Sequence, residues 1–402
     1  MQDDLTPCGA GVRPGPSFSS GFLPGPRLTQ PPTGSGTLDG LCFAIKDNID
    51  VKGTVTGAGN PSWAATHPAP TATAPLVQQL LLAGATLTGK TVLEELAYSL
   101  VGDNRHFDTV RNEASPDRHT GGSSSGSAAV VAAGKADFSL GTDTAGSIRV
   151  PASNCGLIGL RPGHGALNPR GIVPLAPSFD VPGWLARDPA IFCRVGEVLL
   201  PPSSTPRIES GILLEPALRL LDSHYSTHFC QALQSLSIDV CGSSSNIRHR
   251  DFDLPELAEA LRVLQAREAW QQLGEWAANA APGAVSPDID ARILSGREVG
   301  SQALRTATDL RERVRDEMHE LLASCGALVM PTVPCPALPL ASSVQQRQEY
   351  RKRIVQLTCI ASLTGLPEIS LPLITTGGIR MGVSVLGPHG SERALLTLLK
   401  DK

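Results

Sequence analysis

Over most of the chain, short runs of apolar residues alternate with segments that carry apolar residues at helical spacing. The runs at 137–140, 327–330 and 382–386 have the length and composition of buried strands. Residues 127–134 predict a helix of small residues, and residues 350–363 predict a longer helix. Strands that alternate with helices are typical of a sheet covered by helices. We therefore predict an α/β layered fold.

Two regions depart from this alternation. The N-terminal region is rich in Pro, Gly and Ser and lacks periodicity, which predicts an irregular arm. Beyond the Pro-Pro-Ser-Ser break at 201–204, residues 254–280 and 301–323 carry long helical patterns of charged and apolar residues. The predicted parts are an arm at 1–36 and a domain at 37–402, with core segments at 41–190 and 326–395 and a variable helical insert at about 200–320.

One motif matches a nucleotide-binding pattern but lies in a different structural context. Residues 84–91 match the G-x-x-x-x-G-K-[ST] pattern of the phosphate-binding P-loop. That loop must follow a strand and open a helix, so that its amides face the phosphates. Here the preceding residues 76–81 have helical spacing, with Pro75 in the first turn. Gly84 then caps the helix and residues 85–88 form the strand, so we do not expect nucleotide binding.

Composition narrows the class of protein. The net charge of −4 provides no basic surface for nucleic acid or an anionic membrane. No apolar run is long enough to cross a bilayer, and the N-terminus lacks the features of a secretory signal. The nine cysteines include no C-x-x-C pair, and the nine histidines show no metal-binding spacing. We expect a cytoplasmic enzyme without metal or cofactor, which binds neither nucleic acid nor membrane.

The candidate chemistry lies in two Gly/Ser-rich segments, 121–127 and 141–149. They place Ser123 and Ser147 in glycine-flanked turns, where backbone amides can approach a ligand closely. Upstream, Lys46 ends an apolar run of strand character. A lysine and two serines are the components of a Ser–Lys form of nucleophilic hydrolysis, which needs no histidine.

These segments resemble the amidase signature family, and the resemblance covers roughly two thirds of the chain. It is carried by the strand that ends in Lys46 and by residues 121–161, 173–180, 183–188, 329–332 and 364–367. Within the family, residues 97–104, 137–139 and 388–391 are similar to short amidases of the indole-3-acetamide hydrolase type. The resemblance implies the family's core, a large mixed β-sheet with helices on both faces.

The resemblance also implies roles for individual residues. Ser147 would be the nucleophile, and Ser123, usually preceded by a cis peptide bond, would lie between it and Lys46. Lys46 would accept the proton, which requires a neutral amine and therefore a lowered pKa. The oxyanion hole would be formed by the backbone amides of Thr144, Ala145, Gly146 and Ser147. Apart from the resemblance, Asp143 and Arg149 flank Ser147, and we expect them to form a buried ion pair that braces the loop rather than to act in catalysis.

The predicted activity is hydrolysis of a linear carboxamide to a carboxylate and ammonia through an acyl-serine intermediate. The resemblance favours an aryl-acetamide such as indole-3-acetamide, and Tyr98, Phe179 and Trp184 lie in segments that could line an apolar acyl pocket, although core packing is the commoner role. Two alternatives stay open. One is the glutaminase subunit of a tRNA amidotransferase complex, and the other is a non-catalytic binding protein on the same fold. A homodimer is favoured only by the resemblance, because dimers are common in the family.

Overall fold

The computed structural model describes residues 18–203, 205–243 and 252–399. Within these ranges, ten strands form one mixed sheet in the order β3-β2-β5-β7-β6-β11-β12-β10-β8-β9, and β1 and β4 form a separate parallel pair. The strands are β1 (Phe18–Ser19), β2 (Cys42–Lys46), β3 (Thr86–Thr91), β4 (Thr109–Val110), β5 (Phe138–Asp143), β6 (Ile158–Arg161), β7 (Val181–Ala186), β8 (Ser210–Leu213), β9 (Asp239–Ser243), β10 (Leu328–Pro331), β11 (Glu368–Thr376) and β12 (Ile379–Leu386). The predicted α/β class and large mixed sheet are confirmed.

Helices cover this sheet. They are α1 (Pro61–Thr66), α2 (Pro75–Leu82), α3 (Ser125–Ala132), α4 (Arg149–Cys155), α5 (Pro189–Leu199), α6 (Glu215–Leu218), α7 (Ser223–Leu233), α8 (Leu254–Asn279), α9 (Pro287–Ser295), α10 (Ser301–Cys325), α11 (Val344–Thr364) and α12 (Glu392–Leu396). In the described part of the chain, no helix combines the length and the hydropathy that a membrane span requires.

The two faces of β2 carry different side chains, because successive residues of a strand point to opposite sides. Phe43 and Ile45 pack in a cluster with Leu80 of α2 and Phe192 of α5. Ala44 faces the other way, into a cluster formed by small and branched residues of α3 and α4. Small residues on that face let α3 approach the sheet closely, which brings the chain that precedes this helix near the end of β2.

The P-loop-like motif folds as predicted from its flanks. The helix α2 precedes it, its cap is Ala83, one residue before the predicted Gly84, and Gly84 follows with φ of +100°. The strand β3 then runs through the Gly-Lys-Thr end of the motif and ends three residues later than predicted. Lys90 of this motif forms a buried ion pair with Asp47, at 2.8 Å between Nζ and Oδ1. The motif therefore lacks the strand-then-helix order of a phosphate-binding loop.

The region at about 200–320 differs from the predicted helical insert. It contains α8 and α10 close to the predicted ranges, but it also contains β8 and β9, which extend one edge of the main sheet. β8 pairs in parallel with β10, and β9 pairs in parallel with β8. Both strands are short and contain Ser and Gly, and β8 is only partly buried. They therefore lack the apolar pattern by which buried strands are predicted.

The N-terminal arm crosses the edge of the sheet. Of the predicted arm at 1–36, residues 1–17 lie outside the described residues. The remainder forms isolated antiparallel bridges from Phe22 to Thr91 and from Gln30 to Leu87, and the ring of Phe22 is buried. The arm thereby pairs backbone groups of the edge strand β3 that would otherwise face solvent.

Candidate active site

Lys46 ends β2 and points to the same face as Ala44, because residues two apart along a strand share a face. The side chain is fully buried. Its Nζ lies 2.8 Å from the Oγ of Ser123 and 2.8 Å from the Oγ1 of Thr142. The Nδ2 of Asn48 donates to the same Thr142 oxygen at 3.1 Å. Since β5 runs parallel beside β2, Thr142 supports the amine from the neighbouring strand and holds it against Ser123.

Ser123 lies in the loop that precedes α3, and the peptide bond between Gly122 and Ser123 is cis, as the family resemblance implies. A Cβ atom on Gly122 would lie 1.9 Å from the Oε2 of Glu94, so only glycine leaves room for that carboxylate. The amide of Glu94 donates to the carbonyl of Ser123 at 3.1 Å. Close packing against β3 and the residues that follow it therefore fixes the position of this loop.

Ser147 lies in the loop between β5 and α4. It is 3% exposed, and its carbonyl accepts a hydrogen bond of 3.2 Å from the amide of Ser124. This bond joins the loop of Ser147 to the loop of Ser123. The structure thus brings Lys46 and Ser123 into direct contact and places Ser147 in the adjoining loop. Among the described residues, none hydrogen-bonds to the Ser147 hydroxyl.

The carboxylate of Asp143 organises the loop that carries Ser147. It accepts hydrogen bonds from the amides of Gly146 and Ile148, at 2.9 and 3.1 Å. It also pairs with the guanidinium groups of Arg149 at 2.9 Å and Arg161 at 3.1 Å, and all three charged side chains are fully buried. Burial alone would raise the pKa of Asp143, but the two guanidinium groups hold it well below its usual range. The predicted Asp143–Arg149 ion pair is confirmed.

The same cluster ties the loop to the C-terminal part of the chain. Arg149 donates to the Oε2 of Glu368 on β11 at 2.7 Å and to the carbonyl of Thr358 on α11 at 3.0 Å. The Oγ1 of Thr358 in turn donates to the carbonyl of Ala145 at 2.7 Å. Elements more than 200 residues apart in sequence therefore hold the residues around Ser147 in one conformation.

The predicted oxyanion-hole amides differ in whether they already donate a hydrogen bond within the protein. The amide of Gly146 already donates to Asp143, so it has a partner inside the protein. In the described part of the chain, the amides of Ala145 and Ser147 donate to no acceptor. The fourth predicted residue, Thr144, is held by its side chain, which donates to the Oδ1 of Asp180 at 2.6 Å. The amides of Ala145 and Ser147 are therefore better placed than that of Gly146 to receive a developing negative charge.

Electrostatics favour a neutral amine at Lys46. Burial lowers the pKa of Lys46 to about 7, although the carboxylates of Asp143, Asp180 and Glu94 act in the opposite direction. Burial also raises the pKa of Glu94 and of Asp180, so these acids bind protons more readily than exposed carboxyls do. A lysine with a pKa near neutrality can exchange a proton with a hydroxyl in contact with it.

Several residues of this cluster were not assigned a role from the sequence. Thr142 and Asn48 lie inside the motifs that carry the family resemblance, so their position beside Lys46 could have singled them out. Glu94 offered a weaker signal, an acid within an apolar run. Nothing in the local sequence indicates that Glu368 or Arg161 would join Asp143 and Arg149, because these contacts arise only from the order of strands in the sheet.

The three aromatic residues considered for an acyl pocket are packed in the core. Trp184 lies 5.2 Å from Phe192 between ring centroids, and Phe179 has the guanidinium of Arg311 above its ring at 4.3 Å. Tyr98 is buried in a cluster that includes residues of α8 and α9. None of the three lines the cavity of 320 Å³ near residues 95–105, most of whose lining residues are charged or polar.

Replacing Asp143 with asparagine is expected to lower the free energy of unfolding by about 3–5 kcal/mol, because two buried guanidinium groups lose their shared counter-charge. Urea denaturation monitored by circular dichroism measures this change. Asp309→Asn, on the exposed side of α10, is the matched control and should change stability by no more than about 0.5 kcal/mol. Equal stability of the two variants would contradict the bracing role of Asp143.

Comparison with known proteins agrees with this geometry. The Amidase family model matches residues 29–193 and 243–396. The chain is 36% identical to Amidase 1 from Arabidopsis thaliana, over 93% of this chain and 96% of that protein. It is 34% identical to Outer envelope protein 64, chloroplastic, of the same plant, over 93% of this chain and 68% of the relative. A crystal structure of an amidase superposes with a TM-score of 0.79 at 30% identity, over 90% of this chain and 84% of that one. The chain therefore belongs to the amidase signature family and is an amide hydrolase.

Proposed function

We propose that this protein hydrolyses linear carboxamides to a carboxylate and ammonia through an acyl intermediate on Ser147. The observation that carries the proposal is the buried contact of 2.8 Å between Lys46 and Ser123, beside the loop of Ser147. A buried lysine whose pKa is lowered to about 7 supplies a base, and a serine hydroxyl in contact with it can relay a proton.

In the proposed reaction, the Oγ of Ser147 attacks the amide carbonyl carbon while its proton passes to Ser123 and the proton of Ser123 passes to neutral Lys46. The carbonyl oxygen becomes an oxyanion and accepts hydrogen bonds from the amides of Ala145 and Ser147. The C–N bond then breaks as the proton returns through Ser123 to the leaving nitrogen, so ammonia departs. Water repeats the sequence on the acyl ester and releases the carboxylate.

Asp143 and Thr358 position this loop without touching the substrate. Asp143 holds the amides of Gly146 and Ile148, and Thr358 holds the carbonyl of Ala145, so both sides of the loop are fixed before substrate binds. Fixed amides need no reorganisation when charge develops, which is the main advantage of an oxyanion hole over water.

The activity should depend on pH through Lys46. Its neutral form accepts the proton, and the fraction of that form rises as pH rises through about 7. We therefore expect kcat/KM to fall about tenfold for each pH unit below that value and to level off above it. A profile of kcat/KM from pH 5 to pH 9 measures this, and a flat profile, or one that declines over this range, would argue against Lys46 as the base.

The proposal also concerns which acyl group the substrate carries. The aryl-acetamide suggested by the sequence resemblance is supported by that resemblance alone, because Tyr98, Phe179 and Trp184 are core residues. Ammonia release should be measured for indole-3-acetamide, phenylacetamide, benzamide, pentanamide, glutaramate and glutamine. Turnover of at least one amide supports the proposal, whereas no release by folded protein from any of them would contradict it.

The two alternatives give different outcomes in the same assay. The glutaminase component of a tRNA amidotransferase would release ammonia from glutamine only when partner subunits are added, and the glutamyl-tRNA(Gln) amidotransferase relatives are more distant than Amidase 1. A non-catalytic protein would be inert to every amide and to serine-directed covalent probes. The paired Lys46 and Ser123, with Ser147 in the next loop, favour a hydrolase over a non-catalytic protein. The higher identity to Amidase 1, 36% against 31%, favours the stand-alone hydrolase over the glutaminase component.

A further inference from the structure

A cavity of 320 Å³ lies between three segments that are far apart in sequence. These are residues 95–105, the start of α9 around residues 286–292, and the first two turns of α11 at residues 344–351. Four arginines and three acidic residues border it: Arg105, Arg292, Arg347, Arg351, Glu95, Asp103 and Asp288. Seven of its fifteen lining residues therefore carry a charge, whereas a pocket for an aryl group is lined mostly by apolar side chains.

Most of these charges have partners within the protein. Glu95 accepts hydrogen bonds from the side chains of Asn60 and His106, at 2.6 and 2.7 Å. Arg292 donates to the carbonyl of Tyr98 at 2.6 Å and to Asp288 at 3.0 Å. Arg347 lies 3.4 Å from Asp103, and Arg105 donates to the carbonyl of Gly283. Each of these groups therefore already has a partner within the protein.

Arg351 is different. Among the described residues, none forms a hydrogen bond or an ion pair with its guanidinium, and its Nε is inaccessible to solvent and unpartnered. Burial lowers the pKa of Arg351 to about 10, so the group still carries its charge at neutral pH. This Nε has lost water without gaining an acceptor, which is costly, and an anion bound at the guanidinium would offset that cost.

The cavity adjoins the candidate active site. Val101 lines the cavity, and its carbonyl accepts a hydrogen bond of 3.0 Å from the amide of Gly121, two residues before Ser123. Arg351 and Thr358 lie seven residues apart on α11, which corresponds to about 10 Å along the helix axis. Thr358 holds the carbonyl of Ala145 in the loop of Ser147. One face of α11 therefore connects the unpaired arginine with the proposed nucleophile.

We propose that this cavity is the acyl subsite and that Arg351 binds a carboxylate carried by the acyl part of the substrate. The substrate class is then the monoamides of dicarboxylic acids, with the carboxylate several bonds from the amide. This inference rests on the proposed hydrolase function. A planar guanidinium with free donors suits a carboxylate, because it can form two parallel hydrogen bonds.

The kinetic test compares succinamate, glutaramate and adipamate, each beside the neutral amide of the same chain length. For the best pair, we expect the wild type to have a kcat/KM at least about tenfold higher for the anionic amide. Arg351→Met should abolish that preference, whereas Arg351→Lys should retain part of it. Lys352→Met, on the exposed side of the same helix, is the matched control and should keep the full preference.

Binding provides a readout that does not need turnover. Calorimetric titration of glutarate into Ser147→Ala protein should show binding that is at least about tenfold weaker when Arg351→Met is added. Arg351→Met alone should not lower the melting temperature, because it removes an unpaired charge. Glutarate should also compete with the amide substrate in the wild type.

The two proposals fail in different ways. If neutral amides are hydrolysed but Arg351→Met leaves both the anion preference and glutarate binding unchanged, the subsite is wrong and the hydrolase function stands. If glutarate binds through Arg351 but does not compete with the amide, the assignment of the cavity to the substrate is overturned. If no amide is hydrolysed and glutarate still requires Arg351, the anion site stands without the proposed function.

Discussion

Replacing Lys46 with methionine is expected to lower kcat/KM for amide hydrolysis at least about a thousandfold. Methionine fills similar space but cannot accept a proton, so Ser147 would have to attack as an unactivated hydroxyl. Among the described side chains, the fully buried amine hydrogen-bonds to the hydroxyls of Ser123 and Thr142, and neither hydroxyl can replace it as a base. Initial rates of ammonia release, taken on the plateau of the pH profile, measure the effect.

Folding of this variant needs a separate check, because Lys46 is buried. Circular dichroism and thermal unfolding should match the wild type closely, since the substitution removes an amine that burial already disfavours in its charged form. Lys135→Met, at an exposed position after α3, is the matched control and should retain full activity. A folded Lys46→Met protein with more than about a tenth of wild-type kcat/KM would rule out this lysine as the general base.

Replacing Ser147 with alanine is expected to have an even larger effect, a loss of at least about ten-thousandfold in kcat. Alanine keeps the backbone amide that faces the oxyanion but removes the atom that forms the acyl bond. The fold should be unaffected, because no described residue hydrogen-bonds to the Ser147 hydroxyl, and the carbonyl bonded to Ser124 remains. Steady-state ammonia release measures the loss, with Ser235→Ala at an exposed position as the control. A rate within a hundredfold of the wild type would contradict a nucleophilic role.

Much of the fold follows from local pattern. The switch from helical spacing to a strand at Gly84 predicts α2 and β3, and the long periodic segments predict α8 and α10. The two strands at the sheet edge were missed for a physical reason. β8 and β9 are stabilised by pairing with β10 and with each other, and not by an apolar pattern of their own.

Only those residues of the candidate site that lie in short sequence motifs could be predicted. Lys46, Ser123 and Ser147 each belong to a motif whose glycines or strand character mark it in the sequence. By contrast, Glu368 reaches Arg149 because β11 lies next to β6 in the sheet, and no local signal specifies that neighbour.

The same limit applies to the proposed acyl subsite. Arg351 lies on a helix that carries several other basic residues, so its sequence context is that of a solvated helix face. Its lack of a partner depends on how segments 95–105 and 286–292 pack against α11. Periodicity in the sequence shows only which face of one helix or strand is apolar. It cannot show whether a charged side chain such as Arg351 has a partner when that depends on three segments far apart in sequence.

The central claim is that the acyl group is transferred to Ser147, and the most direct measurement is the mass of the protein during turnover. Wild-type protein would be mixed with p-nitrophenyl butyrate, an activated ester that forms the same kind of acyl-serine, and quenched in acid within the first turnovers. Intact-protein and peptide mass spectrometry should find one butyryl group on the peptide that contains Ser147, and none on the Ser147→Ala variant. An acyl group on another residue, or hydrolysis by the wild type with no adduct at Ser147, would contradict the account.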